Sequence, residues 1–334
     1  MIIDSQATFK SCIGGTVNNS VTWDLISYTY DIVMLNHFQP LIGASYLDVI
    51  SADPSLETNR SRSKYWFQRA CARLMVYEHS NSPGMMTPTG LVRNVTENIQ
   101  PTYKYQETKY SNNMLRTGYQ CLDNAMKLAH AEGWPWETDP ANKALTRWVA
   151  YSSELSELTG MEVNRWDYER IAAAIDDIGE MVIAEIIDDI SRQLLLKNYY
   201  IEALSAKEKQ LVKYIRKGVA NLAISESLER GWVQLVEGRV VVKELTSSDS
   251  NHAEIPATGE AMNVKLLNHN LWGSKYIVKL LDYLTKNKLD FPDIWAHYSA
   301  NYPDEEGEEV ESDDCNNCGE CGCNSEIKRG IIQF

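Results

Sequence analysis

A passage that this chain carries twice limits its fold more than any other feature of the sequence. The clearer copy runs from Ser205 to Thr246. Within it Leu211, Ile215, Val219 and Leu222 recur at helical spacing, Ser205 suits an N-cap, and Glu208 completes a capping box. Gly231 is placed to end that helix, and the β-branched run after Gly238 reads as one arm of a hairpin. The fainter copy lies upstream. Arg69 to Glu78 aligns with Lys217 to Glu226, and Gly90 with Gly238, both at an offset of 148 with no gap between helix and turn. Tyr119 aligns with Tyr276, and Trp134-Pro135 with Phe291-Pro292, at 157, which implies a nine-residue insertion before the closing helix. Trp23-Asp24-Leu25-Ile26 and Leu41-Ile42 align with Tyr168-Glu169-Arg170-Ile171 and Ile186-Ile187 at 145. Landmarks kept in one order point to a tandem duplication. The expected fold is mainly α with short β-hairpins: a first helical unit over 1–138, a second over 139–302, and an acidic, Cys-rich tail over 303–334.

The remaining pattern fills in the units. A helix is predicted from Thr22 to about Phe38, the first central helix from Arg62 to Ser80, hairpin strands over 91–110, and a closing helix from Asn112 to Ala131. Residues 137–162 join the units and are partly helical, with no floppy linker. The longest helical pattern runs from Asn164 to Lys197. At about 100° per residue, Ile171, Ile175, Ile178, Val182, Ile186 and Ile190 share one face, opposite Asp176, Asp177, Glu180 and Asp188. A second hairpin through about Ile255 and a closing helix from Met262 to Lys288 complete the body.

Charge narrows the function classes. The net charge is −14, of which the tail from Pro303 carries −8 and the body −6, so neither part has the clustered Lys and Arg that grip nucleic acid. Met1-Ile-Ile-Asp-Ser-Gln lacks the basic flank and apolar core of a signal peptide. No stretch reaches the about 18 uncharged apolar residues of a membrane span. A protein made in the cytoplasm without a membrane anchor is expected.

Chemistry is concentrated in the tail. Cys315, Cys318, Cys321 and Cys323 form a C-x2-C-x2-C-x-C run whose thiolates can share one soft metal such as Zn²⁺. A structural zinc site usually draws its pairs from two knuckles, and ferredoxin spacing continues differently, so an acidic tail with reduced cysteines is the plainer reading. Ile331, Ile332 and Phe334 end the chain as a short apolar segment suited to docking on a neighbouring subunit. Cys12, Cys71 and Cys121 are scattered; Cys71 and Cys121 fall on core faces. His252-Ala-Glu254 lacks the context of a zinc deaminase, and His130 and His269 read as surface or helix-end residues. The stripe of Asp176, Asp177, Glu180 and Asp188 reads first as a solvated face, and second as the lining of a channel that a polyanion traverses without sticking. No P-loop, dinucleotide fingerprint, GxSxG or HExxH occurs, so no enzyme activity is expected.

Gln39-Pro-Leu-Ile-Gly43, Arg69 to Glu78, Gly90-Leu-Val-Arg93, Ser153 to Arg170, Arg216 to Glu226 and the Phe291-Pro292 stop together resemble a family of tandem head–tail connector-like proteins. These are neck adaptor or ring proteins of Bacteroidetes phages, including crAss-like phages. The resemblance spans roughly 5–300 and leaves the tail outside. It implies a structural virion protein: a homo-oligomeric ring, commonly a dodecamer, beneath the portal protein and next to other neck and tail proteins. Packaged DNA passes through such a ring without sequence-specific contact. The hairpins, through Leu91, Val92, Val95, Val240, Val241 and Val242, are the expected intersubunit contacts. The alternative is a zinc-binding adaptor or redox protein acting through the cysteine cluster.

Overall fold

Helical runs separated by turn signals set the order of elements. The computed structural model describes residues 2–13, 23–43, 48, 52, 59–81, 92–95, 98–101, 104–131, 146–200, 202–236, 239–242 and 259–303. Helix makes up 82% of the interpretable residues, so the fold is mainly α.

The first half contains α1 (Gln6–Ile13), α2 (Trp23–Ile26) and α3 (Thr29–Val33), which runs through a π turn (Met34–Phe38) into α4 (Gln39–Ile42). There follow α5 (Asn59–Asn81), the antiparallel hairpin β1 (Val92–Val95) and β2 (Asn98–Pro101), and α6 (Lys104–Ala131). The second half contains α7 (Ser152–Thr159), β3 (Glu162–Val163), and α8 (Arg165–Ile178) running into a second π turn (Gly179–Ile183). Then come α9 (Asp189–Tyr200), α10 (Ala206–Glu229), the hairpin β4 (Val233–Val236) and β5 (Arg239–Val242), α11 (Gly259–Lys286) and α12 (Pro292–Asn301). β3 lies parallel to β5, so the second sheet has the order β3-β5-β4.

Elements and packing partners recur in both halves. α6, α1 and α3 pack on α5, as α11, α7 and α8 pack on α10. The π turns stand 145 residues apart, the ends of α5 and α10 148, the hairpins 141, and the two 28-residue closing helices 155. Well under 1% of residues lie in π turns, so two of them at one offset carry weight. Two glycines fix the register of the closing helices. A Cβ on Gly118 would stand 2.9 Å from Leu74 Cγ, and one on Gly273 would stand 2.6 Å from Leu222 Cγ. Gly118 and Gly273 differ by 155, Leu74 and Leu222 by 148, matching their helices.

These offsets correct the alignment in two places. Hairpins at 141 put a seven-residue difference between central helix and strands, where none was expected. Closing helices at 155 pair Tyr119 with Ser274 and Cys121 with Tyr276, not Tyr119 with Tyr276. The second hairpin turns between Val236 and Arg239, so its first arm precedes Gly238; α6 begins at Lys104, earlier than Asn112. The pattern from Asn164 to Lys197 is two helices, not one. The π turn and the bend at 184–187 interrupt it, and Ile190, expected inside, is 81% exposed.

The helix ends obey local chemistry. Asn164 caps α8 through its side chain, which accepts from Trp166 N at 3.0 Å. Ser205 and Glu208 close the expected capping box on α10. At the other end of α10, Trp232 N bonds to Ser227 O and Gly231 N to Leu228 O around Gly231, whose φ is +69°: a Schellman stop. Each half has its own core, one around Phe38, Phe67, Leu74 and Leu122, the other around Ile171, Ile215, Leu222 and Leu280. Cys12, Cys71 and Cys121 are buried in the first.

Gly273→Ala is expected to destabilise the second half by about 1–3 kcal/mol, the cost of overpacking. There the added Cβ also meets the Leu222 backbone nitrogen at 3.1 Å. Gly118→Ala should cost less, because its nearest neighbours are side-chain atoms of Leu74 and Arg73. Calorimetric unfolding of the two variants checks the order.

Candidate functional site

Residues 146–151 cross between the halves without regular secondary structure. Trp148 and Val149 belong to the second core, Ala150 and Tyr151 to the first. Buried backbone outside a helix or sheet must find side-chain partners. Four consecutive carbonyls do. Arg147 O accepts from Tyr200 Oη at 3.1 Å, Trp148 O from Arg216 Nε at 2.8 Å, Val149 O from Tyr168 Oη at 2.6 Å, and Ala150 O from Arg165 Nη1 at 3.0 Å. The amides of Ala150 and Tyr151 donate to Glu154 Oε2 at 3.0 and 3.3 Å.

The arginines at this junction are held by carboxylates. Arg165, 1% exposed, lies 3.1 Å from the fully buried Asp123 and 2.6 Å from Glu169. Asp123 also accepts from Ser152 N and Ser153 Oγ at 3.2 Å, so one carboxylate on α6 organises the start of α7 and of α8. Arg116 O accepts from Asn164 Nδ2 at 2.9 Å, and the Tyr119 and Trp166 rings meet edge to face at 5.0 Å. Arg216 pairs with Glu154 at 2.8 Å and covers the Tyr199 ring. Burial alone opposes the Arg165 charge; Glu169 and Asp123 more than offset it and leave its pKa raised. The Tyr168 phenol is pushed up by burial and stays a neutral donor.

A second buried polar group lies in the first half. His37 Nδ1 stands 2.9 Å from Tyr119 Oη and Nε2 2.7 Å from Glu78 Oε1. Burial raises the Tyr119 pKa, which makes that phenol a poor nucleophile. The group ties the π turn, α5 and α6 together. By the helix offsets its counterparts are Val182, Glu226 and Ser274, so it is peculiar to the first half.

The acidic stripe is mostly engaged within the chain. Asp176 takes both prongs of Arg147 at 2.8 and 2.7 Å, and Asp177 pairs with Arg230 at 2.9 Å. Asp188 accepts from Ser191 N at 2.9 Å at the start of α9; these bonds outweigh burial and lower its pKa. Glu180 is exposed, and alone of the four has neither an ion-pair partner nor a capping role among the described residues. Val92 and Val95 lie in β1, and Val240, Val241 and Val242 in β5, where Val240 also pairs with Val163 of β3. Leu91, the cysteines at 315, 318, 321 and 323, His252, and Ile331, Ile332 and Phe334 lie outside the described residues. Among the described residues no cluster of three His, Cys, Asp or Glu side chains could hold a metal, and no helix is long and apolar enough to cross a membrane.

His269 corrects its reading as a surface residue. It is buried between α10 and α11, its Nδ1 2.9 Å from Asn221 Oδ1. Asn221 Nδ2 donates to Lys217 O, so Oδ1 accepts and His269 Nδ1 carries the proton.

These features define a mainly helical chain of two similarly built halves locked at a buried polar junction. Its residues 38–128 and 175–303 match the family of unknown function DUF6712, and the chain belongs to that family. The two matched stretches fall one in each half and omit the junction. No curated protein and no solved structure matches the chain.

Asp123→Asn should cost about 1–3 kcal/mol, because the buried Arg165 keeps Glu169 but loses its second carboxylate. A paired Asp123→Leu, Arg165→Met variant should recover part of that loss, as chemical denaturation will show. Burial, reinforced by nearby Lys265, lowers the His269 pKa below 6.5. Its contribution to stability is therefore complete above the unfolded-state value and lost as pH falls toward the folded one. Stability should drop as pH falls below about 6.5, and His269→Gln should flatten that drop in pH-dependent melts.

Proposed function

We propose that this chain is a structural adaptor of a phage neck, a virion protein that assembles into a ring beneath the portal around the DNA exit channel. The observation that carries the reading is the stiff joint between two similarly built halves: Asp123, Arg165, Glu154 and Arg216 hold the junction from both sides. A subunit whose halves keep a fixed relation can repeat one contact at one angle, which is what ring closure requires. The recurrence of π turns, central helices, hairpins and closing helices supports descent from a doubled unit. The resemblance at Gln39 to Gly43, Arg69 to Glu78 and Arg216 to Glu226 supports the connector assignment. On this reading an acidic lining would draw on Glu180, since Asp176 and Asp177 are paired with arginines.

The zinc-binding alternative rests on the spacing of Cys315, Cys318, Cys321 and Cys323. Elemental analysis of natively purified full chain against a chain ending at Pro303 separates it: one tail-dependent zinc per chain favours it.

For the neck reading, negative-stain images of the full chain, alone and mixed with a phage portal protein, should show rings of closed rotational symmetry that bind the portal. A monomer at high concentration that ignores the portal overturns the reading.

A further inference from the structure

The closing helices α6 and α11 correspond position by position, so the outward face of one can be read against the other. At 155 residues, Arg116 corresponds to Leu271 and Asp123 to Val278, while Lys109 and Asn112 correspond to Val264 and Leu267. On α6 the part of this face at Arg116 and Asp123 is covered by the next half of the same chain, through Ser152, Asn164, Arg165 and Asp167, while Lys109 stays exposed. The outcome on α11 inverts the usual order. Asp123, a charged group, is fully buried, and its counterpart Val278, an apolar one, is 54% exposed. Val264, Leu267 and Leu271 are exposed to a similar degree. Spaced at i, i+3, i+7 and i+14, the four make one seam of the kind by which helices pack together.

No later element of the described chain takes the place that α7 and α8 take on α6. α12 turns elsewhere: Phe291 and Ile294 enter the second core, and His297 and Asn301 bond to Ala184 O and Glu185 O beyond the second π turn. A second copy of this chain carries a half that could take that place. The first half begins with α1 and α3, which pack on α5 as α7 and α8 pack on α10. The segment that leads the first half exposes Asp4 ahead of α1, Asp24 in α2 and Asp31 in α3 against Lys10 in α1, whereas the α11 seam is flanked by exposed Lys265, Lys275 and Lys279 against Glu260. The two surfaces are complementary in charge.

We infer that the α11 seam is the seat for the leading helices of a second copy of this chain, as α6 seats α7 and the start of α8 within the chain. Such a contact is heterologous: each copy offers α11 and accepts at its first half, so the arrangement propagates until it closes. The inference deepens the ring reading and rests on self-assembly, not on the phage origin.

Sedimentation of the full chain over a range of concentrations provides the test, with thermal melts as a check on folding. Leu271→Glu with Val278→Glu, both surface positions, should weaken self-association by roughly tenfold or more while leaving the melt unchanged. Lys275→Glu with Lys279→Glu should also weaken it, and Asp24→Lys with Asp31→Lys in the same chain should restore it. A chain ending at Pro303 should still associate. If wild-type chains assemble and the seam variants assemble equally well, the inference falls and the ring stands. It falls too if the seam variants fail to assemble but the charge swap does not rescue, which points to α11 pairing with itself. Loss of assembly on truncation would assign the seam to the chain's own tail. A wild-type chain that never associates removes the ring and the seat together.

Discussion

Four peptide carbonyls in a row, from Arg147 to Ala150, lie buried without a helix or strand to satisfy them. Each is met by a side chain from a different place in the second half: Tyr200, Arg216, Tyr168 and Arg165. An unmet buried carbonyl costs about 1–3 kcal/mol, so these partners are needed for the segment to be buried at all. Two of them are arginines that bring charge into the interior, which in turn calls for Asp123, Glu169 and Glu154. The polar cluster is therefore a chain of requirements that starts from the backbone. Its by-product is a joint in which the two cores cannot slide past one another without stranding a charge.

The joint also makes two similar halves unlike one another. The outward face of α6 is charged because the junction is there, with Asp123 and Arg116 serving it. The same face of α11 has no junction to serve and carries valine and leucine. The two closing helices thus differ where one meets a neighbour within the chain and the other does not. Inside, the halves stay close: Gly118 and Gly273 each admit a leucine of the central helix, and Ile42 and Ile187 are both fully buried.

What was legible in the sequence was local. Ser205 with Glu208, the stop at Gly231 and the apolar spacing of α10 need only neighbours within a few residues, and each is realised. The mainly helical class followed from the same periodicity. The hairpin alignment failed because a shared glycine, Gly90 against Gly238, is a weak marker when loops on either side differ in length. Nothing in the pattern around Asn164 to Lys197 announces an interruption, since Ile171, Ile175, Ile178, Val182 and Ile186 recur every three or four residues. The junction was illegible for another reason. Arg165 and Asp123 lie 42 residues apart, and Arg216 and Trp148 lie 68 apart. No local window contains both partners, and an arginine near a helix start reads as solvated. His269, read as a surface or helix-end residue, instead falls on the buried face of α11.

The paired π turns have a consequence for how this chain can change. Each holds one residue more than an uninterrupted α-helix, and each residue rotates whatever follows by about 100°. Past the first of them, the short helix α4 brings Ile42 into the core, fully buried. Trimming a single residue from the first would leave an unbroken, well-bonded helix in which α4 faces the wrong way. Substitutions at these points are open to drift, but length is not.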